Sequence, residues 1–281
     1  MKKLGIPLLI TLILSSGVQA NEKQKMHPVF DVTKGTKTFL HQVLPDIKKK
    51  KIIFVGENHD LKSHHLAQLR IIRALHESPV PVAVGLEMFG THSQAALDRW
   101  INGQLSDEGF QKVYYENWNV PWPLYSMIFE YVREMRIPLV GLNVARAITR
   151  HVASEGFQSL SREERNKLPD VACKVDPDYM AFIRRAYGAH AHGGLNFTYF
   201  CEAQLVWDTV MAINAIEYLQ AHPNYSLALL AGTGHAWKKG IPEQIRRRSR
   251  LPYTVLLPHI PGNIEPESIS AEDADYILLD L

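Results

Sequence analysis

Five short apolar runs punctuate the chain, at residues 52–55, 80–86, 138–142, 227–231 and 254–257, with a possible sixth at 276–279. A strand with one wet face alternates apolar and polar residues. A run that stays apolar is buried on both faces, which is the situation inside a parallel sheet covered by helices. Helical patterns fill the gaps between the early runs. Asp60 is placed to cap a helix reaching about residue 77, with Leu66, Leu69, Ile72 and Leu75 on one face. Leu124, Ile128, Val132 and Met135 mark another. Strand and helix in alternation predict an α/β fold, a parallel sheet with helices on both faces.

The middle of the chain differs. From 145 to 220 the periodicity is helical, with segments expected at 145–155, 162–168, 177–187 and 200–220. The last of these carries Leu205, Trp207, Val210, Met211, Ile213 and Leu219 and few charges. A structureless loop of this length is disfavoured. The expected organisation is an α/β domain made of 21–144 and 221–281, with 145–220 inserted as a small helical bundle.

Residues 1–20 read as something other than fold. Lys2 and Lys3 precede an apolar stretch at 4–14, and Val18-Gln19-Ala20 has the small-x-small form cut by signal peptidase. The stretch is too short to span a bilayer. The reading is a cleavable signal peptide of bacterial type, hence a periplasmic protein. No cysteine adjoins the cut to take a lipid. Cys173 and Cys201 are the two cysteines of the chain, and sequence leaves open whether they pair or stay separate buried thiols. With 46% apolar and 21% charged residues and a net charge of +2, the composition is globular, and no basic tract calls for nucleic acid. The arginines at 246–248 and 250 read as a solvated helix end.

The residues at the carboxyl end of each apolar run carry the chemistry. The first run ends in Gly56-Glu57-Asn58-His59, the second in Glu87-Met88-Phe89, the third in Asn143 with Arg146 near, the fourth in Gly232-Thr233-Gly234-His235. In an open parallel sheet the carboxyl ends of the strands share one crevice, where ligands bind. Glu57, His59, Glu87, Asn143, Arg146 and His235 are therefore expected to converge. Glu57, His59, Glu87 and His235 suit two chemistries: a divalent metal held by imidazole and carboxylate, or metal-free acid–base catalysis. Each His could instead merely cap the helix next to it.

Two aromatic clusters accompany them. Tyr179, Phe182, Tyr187, His190, His192, Phe197, Tyr199 and Phe200 crowd together, with Arg184 and Arg185 close by. Tyrosine or histidine can ligate haem iron, and guanidinium groups can meet haem propionates. A small aromatic core with a glycine-hinged loop would have the same composition. The absence of C-x-x-C-H excludes covalent haem attachment. Tyr114, Tyr115, Trp118, Trp122 and Tyr125, threaded by Pro121 and Pro123, are expected to roof the cleft; the other reading is a satellite core.

Gly56-Glu57-Asn58-His59, Leu86-Glu87-Met88-Phe89 and Ile137-Pro138-Leu139-Val140-Gly141-Leu142-Asn143 resemble the ChaN family of haem-binding proteins. So do Glu202-Ala203-Gln204, Trp207-Asp208, Met211-Ala212 and Ala231-Gly232-Thr233-Gly234-His235 with Gly240-Ile241-Pro242. The resemblance spans about residues 40–257. It implies a parallel α/β domain with a helical bundle, and non-covalent haem at a homodimer interface with tyrosine on the iron. It also implies a role in haem or iron acquisition beside haem-uptake transporter components. Tyr187, His190, His192 and Tyr199 are the candidate ligands, with Arg184 beside them; His190 matches a family position after the 179–187 helix. More distantly, the paired G-x-x-H turns and the intervening Glu resemble the Tiki/TraB and erythromycin-esterase groups, which include hydrolases. A hydrolase using Glu57, His59, Glu87 and His235 is thus the alternative reading.

Overall fold

The computed structural model describes residues 27–187 and 196–281, so residues 1–20, His190 and His192 lie outside the described residues. The chain begins with β1 (Pro28–Asp31), β2 (Thr36–Phe39), α1 (Leu40–Ile47), β3 (Ile52–Glu57), α2 (Lys62–His76) and β4 (Val82–Gly90). It continues through α3 (Gln94–Ile101), α4 (Asp107–Asn117), α5 (Trp122–Glu134), β5 (Leu139–Asn143), α6 (Arg146–Glu155), α7 (Arg162–Arg165) and α8 (Pro177–Tyr187). Last come α9 (Phe197–Ala221), β6 (Ser226–Gly232), α10 (Thr233–Ala236), α11 (Ile241–Arg248), β7 (Tyr253–Pro258) and β8 (Tyr276–Leu278).

The strands make one eight-stranded sheet in the order β2-β1-β8-β7-β3-β6-β4-β5. Pairing is parallel from β8 to β5. Every residue of β3, β4, β5 and β6 is buried, as their unbroken apolar character predicts. Alternate residues serve opposite faces. Ile53, Val55, Val84, Leu86 and Leu230 join a core with α2, α3, α4 and α5. Ile52, Phe54, Ala83, Leu229 and Leu257 join a second core with α8, α9 and α11. Each such Val, Leu, Ile or Phe side chain contributes about 1.5–3 kcal/mol through burial. The chain between β5 and β6 is helical or irregular among the described residues, and α6 and α9 enclose a third cluster around Val152, Val206 and Val210.

Three features depart from expectation. The edge formed by β1 and β2 is antiparallel, with β1 also antiparallel to β8, so the sheet is mixed at one margin. Those strands are four residues long and half-exposed, too short to show a period. The helix after β3 starts at Lys62 behind Leu61, which caps nothing, rather than at Asp60. Its buried face runs through His64, His65, Gln68, Ile71, Ile72 and Leu75, leaving Leu66 exposed. Cys173 and Cys201 are free thiols.

Candidate functional site

Strand order explains why residues far apart in sequence meet. β6 lies between β3 and β4, so the carboxyl ends of these three strands are neighbours. Glu57 closes β3, Glu87 lies within β4, and His235 rides on α10 just beyond β6. The four expected residues do converge. His59 Nδ1 lies 2.8 Å from Glu57 Oε1, the amide of Gly232 donates to Glu87 Oε2 at 2.6 Å, and His235 Nε2 faces Glu87 Oε1 at 3.8 Å. Gly232 permits the approach of β3's loop to β4: a Cβ there would stand 2.9 Å from His59 Cε1 and 3.6 Å from Glu87 Oε2.

Glu57 is wholly buried and accepts hydrogen bonds from His59 and from the Tyr125 hydroxyl. His65 Nε2 stands 3.1 Å from its other oxygen without hydrogen-bond alignment, its ring stacked on Tyr125. Burial opposes ionisation of Glu57, but the contacts with His59 and His65 outweigh it and hold the carboxyl down at about 2. His59 answers in the other sense. Burial opposes its charge, yet the bond to Glu57 and the charges of Glu87, Glu57 and Asp60 push its pKa up to about 9. With a 38% exposed side chain, His59 stands at the mouth of the cleft, and Trp118 packs edge-on against it.

His235 belongs to a second carboxylate–imidazole pair. Its Nδ1 lies 2.7 Å from Asp208 Oδ1, and Asp208 Oδ2 accepts from the Tyr179 hydroxyl at 2.7 Å. Burial works against the imidazolium, but Glu87 and Asp208 raise the His235 pKa on balance; burial also raises that of Asp208. Trp207 packs edge-on against His235. Asp208, Tyr179 and His65 had not been expected here, and Tyr125, expected in the cleft roof, reaches Glu57 from the core. A buried Asp between Trp207 and Val210 in α9, and adjacent histidines on the buried face of α2, were the signals available.

The remaining expected residues have other work. Asn143 Nδ2 bonds to the Glu87 carbonyl and so braces β4. Arg146 is exposed at the start of α6. Tyr114 and Tyr125 are core residues and Tyr115 is exposed, so the 114–125 aromatics are chiefly core; only Trp118 and Tyr125 reach the cleft.

Among the described residues, no group of three or more His, Cys, Asp or Glu side chains is disposed to hold a metal ion. The divalent-metal reading of Glu57, His59, Glu87 and His235 is corrected accordingly. One donor atom of each is already engaged within the protein: Glu57 Oε1 by Tyr125 and His59, His59 Nδ1 by Glu57, Glu87 Oε2 by Gly232, His235 Nδ1 by Asp208.

The candidate haem residues lie apart from this cleft in sequence, around the end of α8 and the start of α9. Tyr187 is the last residue of α8. Arg184 is exposed, its guanidinium 4.0 Å over the half-buried Phe197 ring. Tyr199 is half-buried on α9, and its ring fills the space that a side chain at Gly156 would need. Arg185 is committed elsewhere, to Asp273 and the Ser268 carbonyl. Half-buried aromatic faces, a phenol and an exposed guanidinium flank residues 188–195, and this donor set fits a ferric porphyrin. Among the described residues no helix is long and apolar enough to cross a membrane.

The protein is of the α/β class: a largely parallel sheet with imidazole–carboxylate pairs at its strand ends, and a tyrosine- and arginine-bearing helical segment between β5 and β6. The family described as haem-binding uptake, Tiki superfamily, ChaN matches residues 43–245, and the chain belongs to it. Among solved structures, one describing cofacial haem binding to ChaN of Campylobacter jejuni superposes with a TM-score of 0.70 at 21% identity, covering 90% of this chain and 96% of that one. An erythromycin esterase in its open conformation gives 0.52 at 14% identity, covering 83% and 76%. Both likenesses are of fold. The chain matches no curated protein sequence at a significant level.

Proposed function

We propose that this chain is an exported, periplasmic haem-binding protein that takes part in haem or iron acquisition. It binds haem non-covalently as a homodimer and works beside components of a haem-uptake transporter. The observation that carries this reading is family membership over residues 43–245, which include the α8–α9 cluster. Iron ligation falls to one of Tyr187, His190, His192 and Tyr199, with Arg184 as propionate partner and Phe197 and Phe200 as apolar wall. Residues 145–220 form the haem-bearing lobe, inserted into an α/β domain of 21–144 and 221–281, and residues 1–20 are removed on export.

The test is a titration of the mature chain with hemin, followed at the Soret band and by sedimentation. A saturable shift that weakens when one candidate ligand is replaced, with dimer formation, is expected. No saturable shift, or one indifferent to replacing all four ligands, overturns the reading.

The pairing of each cleft histidine with a buried carboxylate favours a second reading, a metal-free hydrolase using Glu57, His59, Glu87 and His235. Glu87→Gln and His235→Gln should leave hemin binding intact and abolish cleavage of p-nitrophenyl acetate. A wild-type chain that does not cleave this ester faster than both variants removes it.

A further inference from the structure

We infer that Asp208, held in turn by Tyr179, is the residue that positions His235 as the acid–base partner of Glu87. This rests on the hydrolase reading of the cleft and assigns roles within it. An ionised Asp208 can only accept hydrogen bonds, so the 2.7 Å contact requires the proton on His235 Nδ1. The ring is thereby fixed in one tautomer and one orientation, with Nε2 turned to Glu87 Oε1. Tyr179 donates to the other Asp208 oxygen at 2.7 Å. The carboxylate therefore cannot rotate away from the imidazole without losing a buried bond. All three side chains are at least nine-tenths buried.

The gap between His235 Nε2 and Glu87 Oε1, 3.8 Å, is too long for a direct hydrogen bond. It is short enough for one oxygen atom to lie within hydrogen-bonding reach of both. A base and an acid this close can serve the two oxygens, attacking and leaving, that share one acyl carbon. Glu87 takes a proton from water as the water oxygen bonds to the acyl carbon. The acyl C–O bond then breaks, and the leaving alkoxide takes the Nε2 proton of His235, which enters the step as the imidazolium and leaves it as the neutral ring with its proton on Nδ1 against Asp208. Passage of the proton from Glu87 to His235 restores the resting state, so water and ester become acid and alcohol with no other reactant. Among the described residues, the charged groups that act on His235 include Asp208 from α9, Glu87 from β4 and His59 from the loop after β3. Removing Asp208 leaves Glu87 and His59 acting in opposite senses. The other pair plays a different part: His59 stands at the exposed mouth, and its carboxylate Glu57 is braced from a different core by Tyr125.

The experiment uses the whole mature chain, with two readouts. Long-range proton–nitrogen NMR of the imidazoles reports the tautomer and titration of His235, and p-nitrophenyl acetate reports hydrolysis across pH. In Asp208→Asn, His235 should populate both tautomers and titrate at lower pH. Ester cleavage should fall by tenfold or more, with the pH profile displaced the same way. Asp208→Glu should restore part of both. Tyr179→Phe should move both readouts in the same direction by a smaller amount, and it keeps the question answerable if Asp208→Asn does not fold. Unchanged His235 tautomer and titration in these variants overturns the positioning role. If the titration shifts as described but the wild type does not outpace His235→Gln on the ester, the hydrolase reading fails while the Asp208–His235 constraint stands.

Discussion

The amide of Gly232 donates to Glu87 Oε2 at 2.6 Å, and the same glycine leaves room for the His59 ring. One residue at the end of β6 thus fixes the carboxylate from β4 and admits the imidazole just beyond β3. Gly232→Ala would set a methyl 2.9 Å from His59 Cε1, closer than real carbon contacts allow. His59 must then leave Glu57. Urea unfolding should show a loss of about 1–3 kcal/mol, and NMR should show His59 titrating nearer its ordinary range.

The Glu57–His59 pair sets a window of pH. Glu57 is held at about 2 against an ordinary 4.5, so its contribution is complete above 4.5 and is lost as pH falls through 2. His59 is raised to about 9 from 6.5, so its contribution is complete below 6.5 and is lost as pH rises through 9. Stability from this pair should therefore be greatest between 4.5 and 6.5 and decline on both sides. Denaturant midpoints measured across pH should trace that shape, and Glu57→Gln should flatten both limbs.

Tyr125 donates its hydroxyl to a carboxylate that has no access to water. Tyr125→Phe removes that donor and leaves the buried charge less satisfied, at a cost of about 1–3 kcal/mol. The Glu57 carboxyl should titrate higher as a result. Thermal unfolding and a carboxyl NMR titration read the two effects; an unchanged Glu57 would mean that His59 and His65 alone hold it down.

β5 is the open margin of the parallel side of the sheet, and side-chain amides close it. Gln94 donates to the Leu139 carbonyl and accepts from the Gly141 amide, and Asn214 donates to the Leu142 carbonyl. Unpaired edge groups invite pairing with another chain. Gln94→Ala should cost about 1 kcal/mol and give concentration-dependent association by light scattering beyond that of the parent chain.

Gly156 sits at φ +89° with the Tyr199 ring against it. Gly156→Ala meets both backbone strain and a 2.7 Å approach to Tyr199 Cε1, and a loss of about 1–3 kcal/mol is expected. The hemin Soret band of this variant, beside that of Tyr199→Phe, shows whether moving this ring disturbs the bound haem.

The buried strands were legible because continuous burial leaves an unbroken apolar signature, and their ends pointed at Glu57, His59, Glu87 and His235. Less legible was what holds those groups. Asp208 is one of three acidic residues on a 25-residue helix that is otherwise largely apolar around it, and its role is hidden until its partner is known. Tyr179 stood among aromatics read as haem surroundings, yet its hydroxyl serves Asp208. The expected apolar face of α2 ran through Leu66 and Leu69, whereas the buried face includes His65 and leaves Leu66 exposed. The β1–β2 margin left no trace, since four half-exposed residues carry too little pattern to separate a strand from a loop.

The placement of β6 between β3 and β4 also dictates an order of events in time. β3 and β4, which emerge early from a ribosome or an export channel, cannot become neighbours, because the seat between them is reserved for a segment more than a hundred residues downstream. An amino-terminal fragment, however long short of β6, holds Glu57, His59 and Glu87 without the cleft they line. Closing so wide a loop is slow, so the chain must wait with its apolar strands uncovered, and in that interval it depends most on holding factors and is most exposed to proteases.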